Sequence, residues 1–204
     1  MATSTSASFA MVRSETFDPR AQGLALLGLP LAFGGVISGI LPTALLRGKK
    51  WWKAAVIAGV AMIGAGVAVW MLHGVYGTLS GSMFREWLAV TLGIAATSSV
   101  TAGLGALMGM PGACLGAVLT IFVANPLSGL ATGPWLLPAG WSALGQLMPI
   151  GATGFLVRSL CFFDGAGSTQ PWIVLCCWIL LGLLLLAFDR SKTPAETADT
   201  AATA

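Results

Sequence analysis

Long apolar runs separated by short polar segments dominate this sequence, and they exceed what the core of a soluble domain would hold. Residues 24–46 and 54–72 contain no Asp, Glu, Lys or Arg. A bilayer core is about 30 Å thick, and about 20 apolar residues cross it as a helix. Backbone groups at that depth have no water to bond, so helices are the favoured way to cross. The pattern predicts an all-α, polytopic helical membrane protein.

We expect five transmembrane helices. They are Leu24–Leu46, Ala54–Tyr76, Trp87–Met108, Gly112–Leu130 and Trp172–Phe188. The chain then divides into an external N-terminal segment (1–23), a transmembrane domain (24–188) and a disordered cytoplasmic tail (189–204), whose composition is rich in Thr and Ala.

An apolar but proline-rich region follows the fourth predicted span. Residues 141–163 have the hydropathy of a sixth span, yet Pro149 lies near their middle, where it removes a helix hydrogen bond. We expect short re-entrant helices at the outer face, with Trp135 and Trp141 at headgroup level. A sixth span is the alternative. The polar or helix-breaking residues that we assign to this outer region are Pro138, Trp141, Gln146, Pro149 and Arg158.

Basic residues set the expected orientation. Four of the ten Lys and Arg residues lie in the short segment 47–53, namely Arg47, Lys49, Lys50 and Lys53. Short loops rich in Lys and Arg stay in the cytoplasm. Five crossings put this segment and the basic end at Arg190 and Lys192 on the same side. We therefore expect a multi-pass plasma-membrane protein with its N-terminus outside and its C-terminus in the cytoplasm.

Composition agrees with this class and argues against an enzyme. The chain is 56% hydrophobic and 8% charged, with a mean hydropathy of +0.88. It has no phosphate-binding loop, no HExxH or GxSxG motif and no plausible pair of catalytic carboxylates. The five predicted spans contain no charged residue, and His73 is expected to be an interfacial polar residue. We expect no enzymatic activity, cofactor, metal or nucleic-acid partner.

Two patterns within the predicted spans each leave an alternative open. Small residues recur at four-residue spacing in Gly35–Gly39, Gly105–Gly109 and Gly112–Gly116. This spacing permits close helix packing, either within the chain or across a dimer seam. Hydroxyl residues cluster in the third span at Thr97, Ser98, Ser99 and Thr101. They can bond to the backbone of the preceding turn, or line a path for an amphipathic substrate.

Several Gly, Pro and Trp motifs resemble those of a known family. They are Asn125-Pro-Leu-Ser-Gly129, Leu137-Pro-Ala-Gly-Trp141, Leu144-Gly-Gln-Leu-Met-Pro149-Ile-Gly-Ala152, Val157-Arg-Ser159 and Phe162-Phe163, preceded by Asp18-Pro-Arg-Ala-Gln-Gly23, Leu29-Pro30 and Gly34-Gly35. Over residues 17–188 the chain resembles the membrane subunits (permeases) of type-2 ABC transporters, in the branch related to the phage infection protein group. By this resemblance we expect the chain to lack the first span and the extracellular domain that are usual in that family.

The resemblance implies re-entrant helices on the outer face and a cytoplasmic segment 47–53 that meets a separate ATP-binding subunit. It implies a permease subunit of an ABC-type export system, which moves an apolar or amphipathic substrate and forms a homodimer or a heterodimer with another permease. The alternative is a non-transporting scaffold or accessory protein of a secretion or cell-envelope system. On the outer face, Arg158 is the polar residue of most interest, with Asp164 as its candidate ion-pair partner.

Overall fold

A computed structural model of the chain describes residues 26–46, 50–77, 79, 81–130, 137–138 and 140–188. The predicted external segment 1–23 and cytoplasmic tail 189–204 lie outside these residues, as do Arg47, Lys49 and Trp135. Within the described residues all regular secondary structure is helical, which confirms the all-α prediction for this part of the chain.

The helices follow one another with short connections. Helix α1 is Pro30–Leu45, with a π-helical start at Pro30–Gly34. Helix α2 comprises Lys50–Val69 and a π-helical end, Trp70–Val75. Helix α3 is Met83–Met108. Helix α4 is Met110–Leu127, with a π-helical segment at Leu119–Ala124. Three further helices complete the described part: α5 (Trp141–Leu147), α6 (Pro149–Phe162) and α7 (Thr169–Ala187).

Four helices are long and apolar enough to cross a membrane: α2, α3, α4 and α7. They correspond to the second to fifth predicted spans. The first predicted span, Leu24–Leu46, is represented by α1, whose described length falls short of 18 residues. The third predicted span is longer than expected, because α3 begins at Met83 and so includes Arg85 and Glu86. The predicted bounds Trp87–Met108 contain no charged residue, but the helix extends beyond them, and α2 likewise extends past its predicted start at Ala54 to include Lys50 and Lys53.

Helix α3 is the centre of the bundle. It packs against α1, α2, α4, α6 and α7, and its buried residues lie on all its faces. Small side chains make this possible: Gly93, Gly103 and Gly105 each lie where a Cβ atom would collide with a neighbouring helix. These small residues let several helices approach one central helix closely. Such packing holds membrane helices together, because in lipid the hydrophobic effect does not drive helices to associate.

Contacts along α3 define the two ends of the bundle. Gly105, near the end of α3, meets Thr43 near the end of α1. Ile57, near the start of α2, clusters with Ala106 of α3 and Leu186 at the end of α7. We call this the Lys53 end, after the lysine one turn before Ile57. The opposite end, where α2 finishes and α3 begins, is called the Glu86 end.

Helices α5 and α6 form a hairpin on one side of α3. Residue Met148 separates them in an extended conformation (φ −83°, ψ 150°), and Pro149 starts α6. The break lies beside the middle of α7, because Trp178 donates a 2.7 Å hydrogen bond to the Leu147 carbonyl. It also faces the middle of α3, since Met148 and Thr97 line the same cavity. From there α6 runs along α3 to the Glu86 end, where Leu160 meets Gly81. The two short helices that Pro149 predicts in residues 141–163 are present.

Candidate functional site

A buried carboxylate at the Glu86 end is the most distinctive polar feature of the described residues. Glu86 lies in the first turn of α3 and is 0% exposed. Its Oε1 accepts hydrogen bonds from the Gly81 N–H (2.9 Å) and the Cys161 thiol (3.2 Å), and its Oε2 lies 2.9 Å from Nδ1 of His73. One side chain thus joins the ends of α2 and α6 and the loop before α3.

His73 connects this carboxylate to the surface. It lies in the π-helical end of α2, and its side chain is 32% exposed whereas that of Glu86 is not exposed at all. An ionised carboxylate only accepts hydrogen bonds, so the Nδ1–H tautomer of His73 is the one that donates to it. His73, expected to be an interfacial polar residue, thus has a buried acidic partner that was not identified from the sequence.

Sequence reasoning missed this cluster. Glu86 follows Arg85 directly and precedes the apolar run of α3, so it reads as part of an exposed loop. Its burial depends on α6, whose Cys161 is 75 positions away. One pattern could have indicated the contact. Glu86 and the chain's single histidine, His73, lie near the facing ends of two consecutive predicted spans.

The neighbouring charges at this end are exposed. Arg85 Nη1 and Asp164 Oδ1 lie 3.7 Å apart, and both side chains are largely accessible. Asp164, proposed as a partner for Arg158, thus has an ion pair with Arg85. Arg158 is half-buried on α6, one helix turn before the end of that helix at Phe162. Exposed pairs of the Arg85–Asp164 kind contribute about 0–1 kcal/mol to stability.

Of the predicted ATPase-contact residues, Lys50 and Lys53 lie at the other end of the bundle, and Arg47 and Lys49 are outside the described residues. Helix α2 already begins at Lys50, and Lys53 is only 1% exposed. Lys53 is therefore not an accessible loop cation, because its side chain is buried within the bundle. Next to it on the chain, Trp51 and Trp52 are 80% and 66% exposed, as suits a membrane-interface anchor.

The hydroxyl residues of α3 act locally. Thr97, Ser98 and Thr101 are buried and donate to the carbonyls of Gly93 (3.1 Å), Ile94 (2.6 Å) and Thr97 (2.9 Å). Ser99 donates to the Ala96 carbonyl at 3.0 Å. The prediction of bonds to the preceding turn is confirmed. Ser98 also shares a hydrogen bond with Ser38 of α1, so one hydroxyl pair links two helices.

The small-residue motifs are used within the chain. A Cβ atom at Gly35 would lie 2.6 Å from the Thr97 Cβ, and one at Gly39 would lie 2.7 Å from the Thr101 Cβ. Gly112 and Gly116 of α4 similarly pack on Leu104 and Thr101 of α3. The intramolecular alternative is therefore confirmed for these positions.

The predicted outer-region residues lie in and around the hairpin. Trp141 starts α5 and is 54% exposed, whereas Pro149 is buried at the hairpin break. Gln146 donates from Nε2 to the Ser128 carbonyl at 3.2 Å and so ties α5 to the end of α4. Pro138 is exposed just before α5. The hairpin thus places Gln146 and Pro149 near α4.

A cavity of about 100 Å³ lies between the hairpin break and the helices α3, α4 and α7. Its lining is mostly apolar and includes Val100, Val123, Met148 and Trp178. No sequence pattern predicted it.

In the described part of the chain, no three His, Cys, Asp or Glu side chains are placed to hold a metal ion. Comparison with family models, curated proteins and solved structures finds no match to this chain. The relation to type-2 ABC membrane subunits accordingly rests on the sequence motifs quoted above and is a proposal.

Proposed function

We propose that this protein is a permease subunit of an ABC-type export system, embedded in the plasma membrane and driven by a separate ATP-binding subunit. The hairpin α5–α6 would enter from the outer face and return to it, and the Lys53 end would face the cytoplasm. The substrate would be apolar or amphipathic.

One observation carries the proposal, namely the opposite placement of the hairpin and of the start of α2. The break of the hairpin lies beside Trp178 at the middle of α7, and α6 runs from it to the Glu86 end, where Leu160 meets Gly81. The same arrangement follows independently from the positive-inside rule and from the family resemblance. Because Lys53 is buried, we propose Arg47, Lys49 and Lys50 as the basic residues that contact the ATP-binding subunit.

Charge reversal tests the proposed contact with an ATPase. The affinity-tagged protein should co-purify with an ATP-binding protein from its native membrane, and the double variant Lys49→Glu/Lys50→Glu should lose that partner. Opposed charges at an interface are mutually attractive, and like charges there cost several kcal/mol. Lys192→Glu is the matched control, because it reverses a charge outside segment 47–50 and should leave co-purification unchanged.

Absence of an ATP-binding protein from the wild-type preparation in mild detergent and after cross-linking would contradict the proposal. If the double variant recovered as much of the partner as the wild type does, only the proposed contact surface would be contradicted. Both variants must first give wild-type yields and thermal stability in detergent.

A proton-coupled carrier is a second candidate function, favoured by the pair of Glu86 and His73. Buried ionisable residues in membrane helices commonly mark proton pathways. In liposomes with a potassium-diffusion potential, such a carrier should take up protons, and Glu86→Gln should abolish the uptake. Equal uptake in wild-type and empty liposomes would reject this candidate. Arg85→Gln is the control, since Arg85 is exposed one residue earlier.

A further inference from the structure

The cavity between the hairpin and the helices α3, α4 and α7 has no role in the proposed function. It measures about 100 Å³ and is partly open. Apolar side chains from four elements surround it, namely Val100, Leu104, Leu119, Val123, Met148 and Trp178. It is smaller than an apolar protein cavity of about 150 Å³ that holds a whole benzene molecule, so it has room for only a short piece of hydrocarbon.

The polar groups of the lining are already satisfied by the protein. The hydroxyls of Thr97 and Thr120 donate to the carbonyls of Gly93 (3.1 Å) and Gly116 (2.8 Å) on their own helices. The indole N–H of Trp178 donates to Leu147. No charged side chain is part of the described lining. Apolar cavities of this kind stay dry, so hydrocarbon is the chemically matched occupant.

Two departures from regular helix meet at this cavity. Leu119, Thr120, Val123 and Ala124 all belong to the π-helical segment of α4. Across the cavity, Met148 and Pro149 form the break between α5 and α6. Single π-helical segments occur frequently at functional sites. Their coincidence with the hairpin break indicates that this opening is a built feature of the fold.

The cavity also lies at the depth of lipid chains. Trp178 is near the middle of α7, and Thr97 is near the middle of α3. Both helices are long enough to cross a bilayer, so their middles lie among acyl chains and far from headgroups.

We infer that this cavity binds the terminal part of one acyl chain of a membrane lipid. The cavity is too small for a whole chain, so the remainder of the chain lies along the apolar outer surface of α4, where Leu119 is 47% exposed. Whether the bound lipid is cargo depends on the proposed function, but its binding does not.

Photo-cross-linking of the purified protein in liposomes tests this inference without any ATPase. The probe is a phosphatidylcholine that carries a diazirine near the end of one acyl chain. Cross-links mapped by mass spectrometry should concentrate on residues 119–124 and on Met148. Val123→Phe places a ring in the cavity and should reduce these cross-links to the level of the exposed face of α7.

Val118→Phe is the matched control. It makes the same substitution on α4 at a position that is 50% exposed and outside the lining, so the cross-links should persist. Val100→Phe fills the cavity from α3, and it replaces Val123→Phe as the test variant if that protein does not fold. Uniform labelling of all lipid-exposed helices, unchanged by either filling variant, would overturn the inference. So would equal labelling of the cavity residues by a probe with the diazirine in its headgroup.

Discussion

Glu86 shows how one residue can connect distant parts of a membrane bundle. Its carboxylate accepts from Gly81 and Cys161 and lies against His73, so three segments share one acceptor group. Sequence alone does not reveal this role, because the burial arises only when α6 packs on the start of α3. By contrast, the bonds of Thr97, Ser98 and Thr101 are local to one helix, and their residue types were enough to predict them.

Replacement of Glu86 by Ala should destabilise the protein more than replacement by Gln. Alanine leaves the Gly81 N–H without its acceptor, and an unsatisfied buried group costs about 1–3 kcal/mol. Glutamine retains an acceptor oxygen for Gly81, and its amide can donate to Nδ1 of neutral His73. Thermal unfolding in a mild detergent measures the difference. Equal loss of stability in both variants would show that charge, rather than hydrogen bonding, is the important property.

Close packing along α3 is the dominant interaction at the scale of helices. Gly35 and Gly39 of α1 meet threonine side chains of α3, whereas no heavy atom outside the helix lies within 4 Å of a Cβ at Gly34. The sequence predicted that these glycines would permit close approach, but it left the partner open. Only the tertiary structure distinguishes a neighbour in the same chain from a second copy, since both use the same spacing.

Gly35→Ala should destabilise the bundle and Gly34→Ala should not. The added methyl group at Gly35 would lie 2.6 Å from the Thr97 Cβ, so α1 and α3 must move apart. Overpacking of this kind costs about 1–3 kcal/mol. The same substitution one residue earlier meets open space and removes a flexible glycine, which favours the helix by about 0.5–1 kcal/mol. Thermal unfolding in a mild detergent compares the stability of the two variants.

The hydroxyl pair of Ser38 and Ser98 should contribute much less than the glycine packing. Side-chain hydrogen bonds between membrane helices average about 0.6 kcal/mol. Both hydroxyls also have carbonyl acceptors on their own helices, so Ser38→Ala leaves Ser98 bonded. We expect a loss of stability smaller than that of Gly35→Ala in the same melting experiment. A larger loss would mean that this pair, rather than the glycine contact, fixes α1 on α3.

At the scale of the whole molecule, the sequence predicted the main helices but not the burial of individual charged residues. Apolar length predicted α2, α3, α4 and α7, since a run of about 20 apolar residues is a strong signal. Proline chemistry predicted the break at Pro149. The burial of Lys53 and Glu86 was not predictable from composition, because a charge at the end of an apolar run reads as exposed until its neighbours are known.

Cysteine labelling tests the proposed orientation of the whole molecule. In a cysteine-free background, Lys49→Cys should be protected from a membrane-impermeant maleimide on intact cells. Ala166→Cys, in the exposed turn between α6 and α7, should react. Both positions should react after permeabilisation. Labelling of Lys49→Cys on intact cells would reverse the orientation and remove the proposed ATPase contact from the cytoplasm.

The bond from Trp178 to the Leu147 carbonyl has a consequence for biosynthesis. Residues 141–162 leave the ribosome before Trp178 does, so the interrupted hairpin has an unpaired carbonyl until α7 arrives. A bare carbonyl is costly in hydrocarbon, and we therefore expect the hairpin to remain near the aqueous boundary until the last helix inserts. A nascent chain arrested before Trp178 should expose the hairpin to protease, and release of the full chain should protect it.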